Sequence, residues 1–205
     1  MLVKLYNENS NPKDLKRVIN VLKNDGVIIY PTDSVYAFGC NIFSTKALER
    51  IAYLKNLDPQ KAHFSLIFYD LSQISNYTNP LNNEVFKLLK RNLPGPFTFI
   101  LEANSNVPKM LKLNKKKTIG IRIPNNNIAR QIVFELGNPI FTTSVIENDD
   151  IIEYMTDPEL IHEKYKEKVD LVIDGGYGNL TPSTLVDCTG NECKIIRQGA
   201  GELLL

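Results

Sequence analysis

Apolar residues recur at two spacings along the chain, and the switches between them mark out its elements. Leu2 to Tyr6 can form a strand, and then Leu15, Val18, Ile19 and Leu22 fall at helical spacing. Asn11 stands at the N-cap, Pro12 at the first helical position and Gly26 at the close, so this segment predicts a helix with both ends marked. Val27 to Tyr30 reads as a short buried strand. Ser44 to Lys55 predicts a helix capped by Ser44 or Thr45, with Ala47, Leu48, Ile51 and Leu54 on one face. Phe64 to Phe68 is a strand, and Glu84 to Arg91 is a helix that Pro94 bars from continuing. Phe97 to Leu101, Ile119 to Ile123 and Ile140 to Thr143 are strands, and Asn127 to Leu136 is a helix ending at Gly137. Pro158 to Tyr165 reads as a helix, and Leu171 to Ile173, Thr184 to Asp187 and Lys194 to Arg197 as late strands. Glu147 to Thr156 carries the weakest signal for order. Helices and strands alternate first and strands dominate later, which predicts a single α/β domain with a mixed sheet over residues 1–205.

Composition narrows the class without choosing a function. Lys plus Arg number 24 against 23 Asp plus Glu, so net charge argues neither for nor against nucleic acid, and only local clustering bears on it. Three cysteines, Cys40, Cys188 and Cys193, do not describe a disulfide framework, and with only His63 and His162 beside them no structural zinc set is expected. The N-terminal stretch lacks the apolar core of a signal peptide, and no run approaches the roughly 18 apolar residues of a membrane span. The expectation is a soluble, cytoplasmic protein of a reducing compartment with no membrane partner.

The familiar catalytic patterns are missing: there is no phosphate loop of the GxxxxGK[ST] type and no GxSxG elbow. "GGYG" at Gly175 to Gly178 reads as a plain turn. What recurs is a hydroxyl or a cation at strand ends. Thr32 and Ser34 follow the Val27 strand in "YPTDSVYAFG", Ser144 follows "PIFTT", Ser183 precedes a strand in "TPST", and Arg197 ends the last strand. Thr118 and Arg122 share one face of their strand, because residues four apart in a strand point the same way. A lone serine or threonine at a strand end ordinarily satisfies a turn, and Lys55 near a helix C-terminus can simply favour the helix dipole. Arg122 is harder to dismiss: it lies between Ile121 and Ile123, and a buried arginine needs an anionic partner, from the protein or from a ligand.

The segments "YPTDSVYAFGCN", "PGPFTFIL", "KKKTIGIRIP", "PIFTTS", "PSTLVD" and "IIRQGAG" occur in this order, and together they resemble the YrdC/YciO family from about Tyr30 to Gly201. The wording around "DLSQISNYTNP" is most similar to the YciO branch. The resemblance implies one open, twisted mixed sheet with flanking helices and a large basic cavity. It also implies a threonylcarbamoyl-AMP synthase activity: L-threonine, bicarbonate and ATP give threonylcarbamoyl-adenylate and pyrophosphate, for modification of an adenosine in tRNA, with Mg²⁺ accompanying the ATP. Such a nucleotidyl transfer needs alignment and positive charge over the phosphates more than a strong base. By resemblance, Thr32, Ser34, Arg122 and Ser183 lie on the threonine side. Lys55, Thr118, Ser144 and Arg197 lie on the nucleotide side, and Lys55, Arg122 and Ser144 carry the transfer. Two positions depart from the family pattern. Leu57 stands where a Lys-x-Arg motif has its arginine, and Ile146 where a Ser-x-Asn motif has its asparagine; Lys61 is the cation that could compensate. The other reading is a diverged protein that binds a nucleotide or double-stranded RNA with little chemistry. Its support is the run Lys109 to Lys117, with Lys115, Lys116 and Lys117 together, which reads equally as a solvated loop.

Overall fold

In a computed structural model, which describes residues 1–8, 10–56, 64–112, 117–146, 152–190 and 192–204, sixteen strands and α-helices follow one another among the described residues. They are β1 (Leu2–Lys4), α1 (Pro12–Lys23), β2 (Ile28–Tyr30), β3 (Ala37–Asn41), α2 (Thr45–Leu54), β4 (Ser65–Ile67), α3 (Leu71–Ile74) and α4 (Asn83–Asn92). After these come β5 (Phe97–Glu102), β6 (Thr118–Arg122), α5 (Asn127–Leu136), β7 (Ile140–Ser144), α6 (Pro158–Tyr165), β8 (Leu171–Asp174), β9 (Thr184–Asp187) and β10 (Lys194–Arg197). The helix ends sit where local chemistry puts them. The Asn11 side chain accepts from the Lys13 N–H, and the Ser44 hydroxyl accepts from Ala47, which selects Ser44 over Thr45 as the cap. Gly137 closes α5 at φ 84°, a left-handed position that suits a residue without a Cβ.

The strands form one mixed sheet in the order β1-β8-β2-β3-β7-β4-β6-β5-β9-β10. Side chains on one face, among them Ile28, Tyr30, Ile67 and Ile140, pack with Val18, Leu22, Ile132 and Val133 under α1 and α5. The opposite face, with Phe38, Leu66, Phe99 and Phe141, packs with Leu48 and Ile51 of α2, Leu89 of α4 and Ile161 of α6. Along β4, β6 and β7 the first face changes from Ile67 and Ile140 to Ser65, Gly120, Thr142 and Ser144, the residues that share it by alternation. There the apolar cover gives way to a cavity.

Several expectations are corrected. Residues 37–41 form β3, where the sequence predicts only a polar loop after Tyr30. "AFGCN" lacks the β-branched residues that signal a strand, and it pairs with β2 and β7 through burial and position. The short helix α3 was also missed; a single turn capped by Asp70 carries too little periodicity to read. After α1 it is Asp25, at φ 58°, that takes the left-handed position, one residue before Gly26. Ile152–Thr156, at the end of the stretch expected to be poorly ordered, forms a 3-10 turn, while residues 147–151 lie outside the described residues. Cys188 and Cys193 form a disulfide across the β9–β10 hairpin, where no disulfide was expected, and Cys40 is buried and free. No helix among the described residues is long and apolar enough to cross a membrane.

Candidate functional site

The ladder makes β2 and β7 run opposite to β6, because β2 pairs antiparallel with β3, β3 with β7, β7 with β4, and β4 parallel with β6. The ends of these strands therefore do not share one edge of the sheet. β6 lies four places from β2, which in a flat sheet would separate them by about 19 Å. Yet Arg122 at the end of β6 donates through Nη2 to the Ser34 hydroxyl at 2.9 Å. Groups that a flat sheet would hold apart are thus brought together, which the right-handed twist common to sheets permits, and both residues line the cavity.

That cavity measures about 600 Å³ and is lined by Ser34, Ser65, Thr98, Thr142, Ser144 and Ser183 as hydroxyls and by Arg122 and Arg197 as cations. Val35, Ile100, Ile146, Leu180 and Leu185 supply apolar wall. No carboxylate, histidine or cysteine is among the described residues that line it. Gly120 forms part of the floor; a Cβ there would run into the Ser65 hydroxyl and the Thr98 methyl.

At the buried end, the loop Thr32–Ser34 is fixed by its own hydroxyls. The Thr32 hydroxyl donates to the Val35 carbonyl at 2.8 Å and accepts the Ser34 N–H at 3.0 Å. Its single proton is thereby used, so in the 3.1 Å contact between the two hydroxyls Ser34 is the donor. A chain of hydrogen bonds thus runs from Arg122 through Ser34 and Thr32 to the Val35 carbonyl. Arg122 is 7% exposed and also pairs with Asp33, Nη2 to Oδ1 at 3.2 Å, while its Nε is buried without a hydrogen-bond partner among the described residues. Asp33 Oδ2 accepts the Asn125 N–H at 2.7 Å, and the Asp33 carbonyl accepts from the Asn179 side chain. One acidic residue therefore ties together the loops that follow β2, β6 and β8. Beneath the cavity Tyr30 donates to the Thr142 hydroxyl at 2.7 Å, and burial pushes the Tyr30 phenol well above its ordinary pKa, so that proton stays in place.

Nearer the opening, the peptide of Ile146 is held from both sides. Its N–H donates to the Ser144 hydroxyl at 3.0 Å, and its carbonyl accepts from Lys55 Nζ at 2.9 Å. Thr98 and Ser183 pair their hydroxyls at 2.8 Å, and Arg197 donates to the Ser183 carbonyl at 2.8 Å.

Of the residues named from the sequence, Ser34, Arg122, Ser144, Ser183 and Arg197 line the cavity. Thr32 stands one hydrogen bond behind Ser34, and Lys55 reaches the wall through Ile146. Thr118 is buried on the same face of β6 as Arg122 but is not among the lining residues. Leu57, Lys61, Lys115 and Lys116 lie outside the described residues, whereas Lys117 is described and exposed. Sequence reasoning missed Asp33 and Thr98 as site residues. Both lie inside quoted segments, and the demand of a buried arginine for an anion pointed toward a residue such as Asp33.

A twisted mixed sheet with this hydroxyl- and arginine-lined cavity defines a YrdC-like α/β protein. A family model described as "Telomere recombination", covering Sua5, YciO and YrdC, matches residues 20–199, and the chain belongs to this family. It is 38% identical over 200 residues to an uncharacterized protein YciO of Escherichia coli strain K12, covering 97% of this chain and 95% of that one. An uncharacterized protein of Haemophilus influenzae is 39% identical over 197 residues, covering 96% and 94%. A putative threonylcarbamoyl-AMP synthase of Methanocaldococcus jannaschii is 30% identical over 203 residues, covering 97% and 92%. The crystal structure of E. coli YciO superposes with a TM-score of 0.91 at 36% identity, covering 98% and 97% of the two chains. That of P. abyssi Sua5 complexed with L-threonine gives 0.84 at 21% identity, covering 97% of this chain and 57% of that one; at this identity the likeness is one of fold.

Proposed function

We propose that the cavity is a threonylcarbamoyl-AMP synthase-like site, which takes L-threonine, bicarbonate and ATP and serves tRNA modification in the cytoplasm. The observation that carries this reading is the buried Arg122 with Ser34 at one end of a cavity whose described lining is otherwise hydroxyl, apolar or arginine. The names of a relative at 30% identity and of a threonine-bound structural neighbour support it. In this reading the guanidinium of Arg122 receives the amino-acid carboxylate, with Ser34 beside it. Thr98 and Ser183 face the rest of the amino acid, and Arg197 and Lys55 face the phosphates. The carbamate oxygen attacks the α-phosphorus of ATP in line, a P–O bond forms, and the bond to pyrophosphate breaks. The attacking oxygen is already anionic, so no protein base is needed, and the chain's contribution is alignment and charge. In this reading Mg²⁺ would accompany ATP and be held largely by its phosphates. The test is pyrophosphate release from ATP by the purified chain. Release that requires both threonine and bicarbonate supports the reading, and none under any combination overturns it.

A second reading has a specific observation in its favour. Lys55 is engaged by the Ile146 carbonyl, and Leu57 and Ile146 replace the second cation and the amide of the synthase motifs. A protein that binds nucleotide or double-stranded RNA without full synthase activity fits those losses. Nucleotide binding without threonine-dependent pyrophosphate release would favour it.

A further inference from the structure

The described lining of the cavity carries positive charge only, from Arg122 and Arg197. One layer behind it, Asp33 sits 3.2 Å from the Arg122 guanidinium, and both side chains are more than nine-tenths buried. Arg197 is exposed and its field is screened by water, so the buried end of the cavity is governed by the Arg122–Asp33 pair. Asp33 does not chelate Arg122: one oxygen makes the 3.2 Å contact while the other is taken at 2.7 Å by the Asn125 N–H. The carboxylate is therefore anchored to the β6–α5 loop and stays in place when a ligand meets Arg122.

We propose that Asp33 is a specificity-determining residue, a fixed counter-ion that makes the buried end of the cavity electrically neutral. It thereby favours a zwitterionic amino acid over free phosphate or pyrophosphate, which bring several negative charges and no ammonium. The argument is one of sign. A carboxylate near Arg122 repels every negative charge brought to that end, and the repulsion grows with the ligand's charge in a poorly solvated site. A zwitterion brings an ammonium with its carboxylate, and Asp33 attracts the first about as much as it repels the second. Multiply charged anions have no such compensation. Arg122 keeps its directional donors for a carboxylate, while the bare attraction that would trap phosphate is cancelled. Such a filter matters where a reaction releases pyrophosphate beside an arginine. The inference rests on the amino-acid reading of the site proposed above, but its test does not depend on turnover.

The experiment is calorimetry on the full chain with inorganic phosphate, pyrophosphate and L-threonine, each alone at low salt, for wild type, Asp33→Asn and Asp33→Glu. Asp33→Asn retains an acceptor for Asn125 and removes the charge. It is expected to bind phosphate and pyrophosphate at least about tenfold more tightly than wild type, with threonine affinity changed less than about threefold. Asp33→Glu restores the charge and is expected to return phosphate binding toward the wild-type value, which a purely structural role would not do. Asp33→Ser, also uncharged, serves if Asp33→Asn does not fold. Phosphate affinity unchanged in the uncharged variants, or changed by the same factor as threonine affinity, overturns the proposal. If wild type binds no threonine, the proposed substrate fails, and the phosphate comparison still decides the role of Asp33.

Discussion

Lys55 donates through Nζ to the main-chain carbonyl of Ile146 at 2.9 Å, so the end of α2 is tied to the exit of β7. By the resemblance described above, the two residues fall in the two motifs where this chain departs from the family pattern. Ile146 offers apolar surface to the cavity and its carbonyl to Lys55. On the synthase reading, the double variant Leu57→Arg with Ile146→Asn adds back the cation and the amide that the resemblance leads one to expect. A charge-assisted hydrogen bond contributes about 1.5–3 kcal/mol, so ATP should bind roughly ten- to hundredfold more tightly, measured by calorimetry. An unchanged affinity would mean that these side chains do not face the nucleotide.

Arg122 is expected to resist conservative replacement. Its Nη2 serves both Ser34 and Asp33, which a lysine ammonium on a different stem cannot reproduce with the same planar geometry. Arg122→Lys should lose threonine binding by at least about tenfold while keeping the charge. Arg122→Gln should in addition leave Asp33 buried without its counter-ion, and removing one member of a buried pair costs roughly 3–5 kcal/mol. Urea denaturation reads that loss, and stability within 1 kcal/mol of wild type, roughly the worth of a surface pair, would mean that Asp33 is solvated.

Gly120 tests the floor of the cavity. It lies between Thr118 and Arg122 on the cavity face of β6, and the place of a Cβ is filled by Ser65 and Thr98. Gly120→Ala is expected to destabilise the fold by about 1–3 kcal/mol, as overpacking does, and to displace Thr98 from its hydroxyl partner Ser183. Stability equal to wild type would show that the floor yields at no cost.

The helix ends were legible because caps are local. Asn11, Ser44 and Gly137 each act within one turn of the residue they cap. β3 was not legible, because its Ala, Gly and Asn are held by pairing on both sides rather than by preference. The cavity was legible only as a set of strand-end residues. That Ser34 and Arg122 meet depends on how four strand spacings of sheet are arranged between them, which no stretch of sequence encodes by itself. For Arg122 the sequence stated the need for an anion but not its source, since Asp33 lies 89 residues away.

The lysine run before β6 bears on RNA. Lys117 is exposed, with φ 51°, immediately before Thr118 opens the strand that carries Gly120 and Arg122 to the cavity. Lys115 and Lys116 precede it in sequence. If the run meets phosphates, binding to double-stranded RNA should follow charge and shape, not base sequence. Each phosphate neutralised releases counter-ions, so affinity should fall as salt rises, with a log–log slope of about 0.9 per contact in the duplex DNA case. Replacing Lys115, Lys116 and Lys117 together by Ala is expected to reduce that slope by roughly two to three. ATP affinity should stay near the wild-type value, because the described lining of the cavity draws its cations from Arg122 and Arg197. A slope unaltered in the triple variant, measured by titration of a fluorescent RNA duplex across salt concentrations, would assign these lysines to solvent.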